Sequence, residues 1–300
     1  MIARVIHHSK PAADIEIDEP LVRSLLQVQH PDLAALRLQP MDSGWDNAMF
    51  KLGDALAVRL PRRVAVAKLI EHEQQWLPQL APLLPITVPA PVRIGLPAQN
   101  YPSRWSVVPW MRGRNADLNE PRADQGERLA AFLCALHRPA PADAPVNPYR
   151  GVPLRERAEQ IVERIHRLKR ETSLLDDEVV RVYEDAIAAP IDVEPTWLHG
   201  DLHGGNLLVD DDGVITGVID WGDMTRGDRA TDLATLWMNL GDRKAREHAL
   251  RACNVSDATR RRAKGWAVFY GVTLGTSGLA GDRRHAVMAQ RTLERVVAGP

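Results

Sequence analysis

The stretch that most limits how this chain can fold lies between Trp197 and Asp223. Within it LLVDDDGVITGVID, residues 207–220, sets two apolar runs on either side of an acidic turn that ends in Gly213, the pattern of a β-hairpin. A hairpin returns the chain to its start. Asn206 and Asp220 are therefore expected near one another at the open end of two paired strands, although fourteen residues separate them in sequence. Asp201 precedes Asn206 by five residues, on the irregular loop WLHGDLHGGN that feeds the first strand. Three oxygen-bearing side chains thus converge. An amide and a carboxylate are hard oxygen ligands suited to Mg²⁺, which keeps several waters and binds substrate phosphates, and Asp201 is then left to accept a proton. The competing reading takes His199, Asp201 and His203 as alternating ligands of a metallohydrolase. It leaves the hairpin and Asp220 unused, and no further histidine cluster completes a shell.

Charge and cysteine usage exclude other classes. Lys and Arg number 38 against 39 Asp and Glu in 300 residues, so the global basic excess of a nucleic-acid-binding chain is missing. The start, MIARVIHHSKPAAD, has no signal-peptide core, and no apolar run approaches a membrane span, which points to a cytoplasmic protein with no membrane partner. Cys134 and Cys253 are read as buried small apolar residues rather than as a disulfide.

The text changes character near residue 110. Before it, AMFKLGDALAVRLP reads as a hairpin turning at Gly53-Asp54, RRVAVAKLIEHEQQWLPQL as a helix, and RWSVVPWMRG as a buried strand. After it, Leu129, Phe132, Leu133 and Leu136, then Leu154, Ala158, Ile161, Ile165 and Leu168, repeat with helical spacing. PAPADAPVNPYRGVP between them, with five prolines, is a rigid irregular connector. The expected architecture is α+β: a small β-rich lobe with one helix over residues 1–110, a larger helical lobe over 111–300, and a cleft between them. The basic run RRRAKGW, 260–266, reads as a solvated helix face.

HGDLHGGN followed by IDWGD resembles the catalytic loop and metal motif of the protein-kinase-like fold, in the form used by the aminoglycoside phosphotransferase family. The resemblance runs from about 40 to 240. It implies a two-lobe fold and a small-molecule kinase that uses Mg²⁺ and ATP or GTP, with Asp201 as catalytic base and Asn206 and Asp220 holding the metal. It also assigns Arg59 to the strand position where most kinases carry lysine, and Glu73 to the acid on the following helix. Glu73 sits on the apolar face of that helix and needs a cationic partner, which Arg59 supplies. Ser43, Gly44 and Asn47 occupy the nucleotide loop, where a plain turn is the other reading. The Pro109 carbonyl and Met111 amide would meet the base of the nucleotide. His203 stands where protein kinases place a phosphate-facing lysine, and either contacts the γ-phosphate or is simply exposed. His199 is read as a support of the loop. Asp232 either caps a helix or anchors the catalytic-loop backbone, and the anchor is preferred.

The acceptor is less constrained. Residues 171–194 carry eight acids and one arginine, which would attract a polycationic sugar such as an aminoglycoside, or would simply be a solvated helix. Asp223 and Asp228 are further candidates for the acceptor side. GWDN and VRLPRR are similar to macrolide-kinase-like wording, whose acceptor is much less charged. A metabolic kinase for an endogenous alcohol or sugar, and a nucleotide-binding protein without turnover, stand as alternatives.

Overall fold

A computed structural model describes residues 12–41 and 44–299. The described chain divides into two compact units, one of residues 12–83 and 87–112, the other of 84–86 and 113–299. The division at 112/113 lies two residues from the boundary expected at 110/111, and the short piece 84–86 goes with the second unit.

The first unit is an antiparallel sheet with two helices. Helix α1 (Glu19–Gln29) begins where the Asp18 carboxylate accepts the Leu21 N–H at 2.9 Å, and it buries Val22, Leu25 and Leu26. Strands β1 (Leu38–Pro40), β2 (Asn47–Leu52), β3 (Leu56–Pro61), β4 (Arg93–Gly95) and β5 (Trp105–Pro109) lie in the order β1-β2-β3-β5-β4. The expected hairpin is β2–β3, paired Asn47↔Pro61 through Leu52↔Leu56 and turning at Gly53, whose φ is +59°. Helix α2 (Ala67–Leu80) follows, with Ile70, Glu73, Trp76, Leu77 and Leu80 on its buried face. The expectation of a single helix before residue 110 is corrected by α1. Its signals were present in the cap Asp18, in Pro20 within the first turn, and in the apolar spacing of Val22, Leu25 and Leu26. Its apolar face packs with Phe50, Leu52, Val58, Leu60, Trp105 and Val107 into one core.

The second unit is mainly helical. Its helices are α3 (Gly126–Leu136), α4 (Ala158–Glu171), α5 (Asp177–Ala188), the short α6 (Ala230–Leu233) and α7 (Thr235–Asn239), α8 (Arg243–Ala252), α9 (Asp257–Leu279) and α10 (Arg283–Val297). Two small antiparallel sheets carry the loops of interest. Strand β6 (Arg114–Asn115) pairs with β8 (Leu207–Val209), which pairs with β9 (Ile215–Val218), while β7 (Thr196–Leu198) pairs with β10 (Thr225–Gly227). Helix α9 is buried over most of its circumference and packs against α4, α5, α6 and α10. Among the described residues no helix is long and apolar enough to cross a membrane.

Two sequence expectations fail here for one reason, tertiary proximity that spacing does not reveal. Cys134 on α3 and Cys253, just past α8, form a disulfide with Cα atoms 5.4 Å apart, because α3 packs against α8. Arg262, in the run read as solvated, is 1 % exposed. It donates from Nε to Asp228 at 2.6 Å and also pairs with Asp192 at 3.1 Å. Reduction of the disulfide, which closes a 119-residue separation, is expected to lower unfolding stability by about 2–4 kcal/mol. Urea unfolding with and without reductant measures it.

Candidate active site

The hairpin expected from 207–220 is β8–β9, with Leu207 opposite Val218 and a turn through Gly213 at φ +76°. Beyond the last pair, the Ile219 N–H donates to the Asn206 carbonyl at 2.9 Å, so the ladder runs on to Asn206 and delivers Asp220 next to it. Asp220 itself has φ +61°, a left-handed conformation that a non-glycine residue holds only when its surroundings impose it. Its charge acts on both His203 and Asp223.

Asn206 is oriented by Asp201. Its amide nitrogen donates to the Asp201 carbonyl at 2.9 Å, which fixes the amide so that its oxygen, the atom able to ligate a cation, is the other end. An oxygen of Asn206 and the carboxylate of Asp220 fit Mg²⁺, which takes few protein ligands beside water and phosphate oxygens. The alternative cage of His199, Asp201 and His203 does not assemble. Among the described residues no group of three or more His, Cys, Asp or Glu side chains is arranged to hold a metal ion.

The loop that carries Asp201 is suspended from several elements. Asp232, in α6, accepts the His199 N–H at 2.7 Å and the Gly200 N–H at 2.9 Å, so it anchors the loop backbone. His199 is a support in the same sense. It accepts the Asp201 N–H on Nδ1 at 3.2 Å and donates from Nε2 to the Ile219 carbonyl at 3.0 Å, linking the loop to the end of β9. Its ring lies edge-on to the buried Trp221, centroids 4.8 Å apart. The Tyr270 hydroxyl, from α9, donates to the Gly200 carbonyl at 2.8 Å. Gly200 has φ +87°, and a β-carbon there would stand 2.3 Å from the Asp223 carbonyl oxygen, so only glycine allows the two segments to touch.

The Asp201 carboxylate faces cations. Arg150 donates to one oxygen at 2.8 Å, and His203 places Nε2 3.3 Å from the other. Burial pushes the Asp201 carboxyl upward, but the charge of Arg150 and then that of His203 outweigh it and hold the group below its ordinary range. Burial lowers His203, and Asp201 more than reverses this, so the imidazole is raised. His203, read as a γ-phosphate contact or as simply exposed, is half-buried. Nδ1 accepts the Gly205 N–H at 2.9 Å and Nε2 is turned to Asp201.

Arg150 was not singled out in the sequence, and neither was Asn147. Both lie in the proline-rich connector, which is stitched to β10 by bonds from Arg226 N–H to the Pro145 carbonyl and from Asn147 N–H to the Thr225 hydroxyl, each 2.9 Å. Asn147 then donates to Asp223 at 2.8 Å, and Arg150 reaches Asp223 at 3.5 Å. Asp223 therefore stands beside Asp201, joined to it through one guanidinium. Burial raises its carboxyl. Asp228, the other candidate for the acceptor side, is buried in an ion pair. It is 4 % exposed, its two oxygens take Arg262 at 2.6 and 3.1 Å, and one also caps the Ala230 N–H.

In the first unit Arg59 and Glu73 form the expected buried pair, 2.5 Å between Nη1 and Oε2. Gly44 and Asn47 meet through the Gly44 N–H and Asn47 carbonyl at 2.9 Å, a closed turn entering β2. Ser43 lies outside the described residues. Pro109 ends β5 opposite Leu56, with Met111 two residues on and half-buried.

Comparisons with known proteins follow this geometry. Comparison with curated protein sequences gives no match. Among solved structures, the GDP complex of wild-type aminoglycoside 2'-phosphotransferase-IIIa aligns with TM-score 0.64 and 18% identity, over 94% of this chain and 99% of that one. The GDP and kanamycin complex of the same type of enzyme gives 0.63 and 19%, over 92% and 98%. The apoenzyme of a macrolide 2'-phosphotransferase from Brachybacterium faecium gives 0.58 and 21%, over 92% and 98%. At such identities the likeness shows the fold, the protein-kinase-like arrangement of antibiotic phosphotransferases. The model of the phosphotransferase enzyme family matches residues 37–266, which hold Asp201, Asn206 and Asp220, and the chain accordingly belongs to that family of enzymes, which transfer phosphate to hydroxyl groups.

Proposed function

We propose that the protein is a Mg²⁺-dependent O-phosphotransferase that moves the γ-phosphate of ATP or GTP to a hydroxyl of a small molecule. The observation that carries this reading is the convergence of Asp201, the oriented amide of Asn206 and the left-handed Asp220 at the open end of β8–β9. Asp201, kept ionised, aligns the acceptor hydroxyl and takes its proton as the oxygen attacks in line. Asn206 and Asp220 would hold Mg²⁺, which when bound offsets the charge that develops on the phosphate oxygens. In the first unit Gly44 and Asn47, with Ser43, would meet the phosphates through backbone amides. Arg59 would grip phosphate oxygens while Glu73 fixes its direction, and Pro109 and Met111 would meet the purine.

Aminoglycoside-like and macrolide-like antibiotics are the first acceptors to test, since those are the substrates that the neighbouring structures are named for. An endogenous alcohol or sugar is the second reading, favoured by one observation. The acids of 171–194 all lie at the surface, but five of the eight are already paired with basic side chains or used as a helix cap, which offsets part of the charge a polycation would meet. Glu171 pairs with Arg167, Asp177 with Lys169, Asp185 with Arg261 and Asp192 with Arg262, while Asp176 caps α5. The intact Arg59–Glu73 pair argues against a binder without turnover. Nucleotide use favours the cytoplasm, whereas the Cys134–Cys253 bond favours an oxidising compartment. The nucleotide requirement is the stronger constraint, because the reaction cannot run without it.

ADP release from MgATP and MgGTP across aminoglycosides, macrolides, alcohols and sugars tests the reading. Nucleotide binding without ADP release from any acceptor would overturn it. The electrostatics of Asp201 add a pH test. With its carboxyl below the ordinary value of about 3.9, kcat/KM should stay flat on the acid side until pH falls below about 4. Arg150→Met removes the first of the charges that lower the group, so its acid limb should move to higher pH. The rate profile of the two proteins between pH 3.5 and 7, roughly the range in which carboxylates and imidazoles titrate, measures the shift.

A further inference from the structure

The second unit holds two arginines stacked on consecutive aromatic residues of α9, and the first of them, Arg150, pairs with Asp201. The guanidinium of Arg150 lies over the Tyr270 ring at 5.2 Å, and that of Arg157 over the Phe269 ring at 5.2 Å. The Arg157 guanidinium also lies over the Tyr149 ring at 5.0 Å, so two rings contact it. The two arginines differ in their counter-charges. Arg150 is neutralised by Asp201 and Asp223. Arg157 is 8 % exposed, has no carboxylate within ion-pair distance among the described residues, and keeps a buried Nε–H with no acceptor among them.

A buried cation without a counter-ion is costly, and its nearby charges make it more so. Burial and the charges of Arg150 and Arg164 all oppose its ionisation. Arg164 lies on the same side, donating to Thr273 of α9 at 3.1 Å. Among the acids of 171–194, those that form ion pairs do so with Arg167, Lys169, Arg261 and Arg262, and none pairs with Arg157. What the arrangement lacks is an anion, and the rings leave the edge of the Arg157 guanidinium, which carries its donors, as the part able to receive one. A guanidinium held by aromatic rings and lacking a carboxylate partner keeps its N–H donors for carboxylate or phosphate oxygens.

The geometry points to Arg157 as the recognition site for an anionic group, a carboxylate or a phosphate, carried by the hydroxyl compound that Asp201 activates. Tyr149 and Phe269 hold its guanidinium flat for that contact. The inference rests on the proposed phosphotransfer to a small-molecule hydroxyl and narrows its acceptor. It favours hydroxy acids, sugar acids or sugar phosphates over polycationic aminoglycosides. Arg157 would contribute to acceptor binding, in KM, and not to the transfer step itself.

Two measurements test it. In the first, the Arg157 Nε–H signal is followed by NMR while inorganic sulfate is added to the full-length protein, with Arg157→Met and Arg157→Lys as comparisons and thermal melting as the check that they fold. Saturable binding at millimolar sulfate is expected for the native protein, weakened roughly tenfold or more in Arg157→Met and partly kept in Arg157→Lys. Absence of binding up to about 100 mM, or equal affinity in Arg157→Met, would overturn the inference. The second measures ADP formation with matched acceptors: a hydroxy acid, its amide and its amine analogue. The acid should be preferred about tenfold or more in kcat/KM through KM, and Arg157→Met should abolish the preference while leaving the amide within about twofold. Equal use of acid and amide by the native protein would overturn it. If no acceptor of the panel is phosphorylated, the sulfate titration still decides. Loss of all nucleotide turnover with intact sulfate binding would instead count against phosphotransfer and leave the anion site standing.

Discussion

Asp201→Ala is expected to lower kcat for phosphoryl transfer by about 10²–10⁴-fold while leaving MgATP affinity within about twofold. The loss should be large because no neighbour can take over. His203 is turned to the same carboxylate and bound to Gly205 through its other nitrogen, Asp223 is tied to Asn147 and Arg150, and Asp220 is assigned to the metal. Nucleotide affinity should survive because the groups proposed to bind it lie elsewhere in the chain. The loop should also keep its shape, since its anchors act on His199 and Gly200 and not on the Asp201 side chain. Single-turnover transfer and nucleotide titration of the same preparation measure the two quantities. Equal loss of both would remove Asp201 from the role of base.

The largest expected effect on stability lies away from the chemistry. Asp228→Leu should cost about 3–5 kcal/mol, because it strips both carboxylate contacts of Asp228 from Arg262 and leaves a guanidinium that is 1 % exposed with Asp192 as its remaining carboxylate. Arg262→Met should cost a similar amount by stranding the Asp228 carboxylate. The double variant Asp228→Leu, Arg262→Met should lose much less than the sum, since an apolar pair of similar volume leaves no unpaired charge. Urea unfolding of the three variants closes the cycle. Additive losses would mean that the two side chains do not act as a pair.

What the sequence made legible and what it hid divide along a physical line. The β8–β9 hairpin and the convergence on Asn206 were readable from local pattern, apolar runs about a glycine turn, and the Arg59–Glu73 pair from the family resemblance together with a carboxylate on the apolar face of a helix. Asp232 as anchor of the loop was readable through the family resemblance. Arg150 and Asn147 were not, because a proline-rich connector has no period from which a side chain's direction follows, and only bonds to Thr225 and Arg226 aim it at Asp201. Tyr270 was hidden in another way. In a helix buried over most of its circumference, one hydroxyl reaching the Gly200 carbonyl gives no pattern to detect. Arg262 and the two cysteines failed in the same manner. Their partners, Asp228 in the loop before α6 and each other across α3 and α8, are set by helix packing and not by neighbours in sequence.

The placement of Tyr270 also bears on how short the protein can be made. The family match ends at residue 266, inside α9, and so excludes Phe269 and Tyr270. A version trimmed to that limit would halve the helix on which α4, α5 and α10 rest, and would remove the hydroxyl that holds the Gly200 carbonyl. The smallest self-sufficient piece is therefore set by the end of a helix and not by the end of a recognisable motif. Fusion partners, tags and split-protein cuts belong beyond α10, which packs on α9.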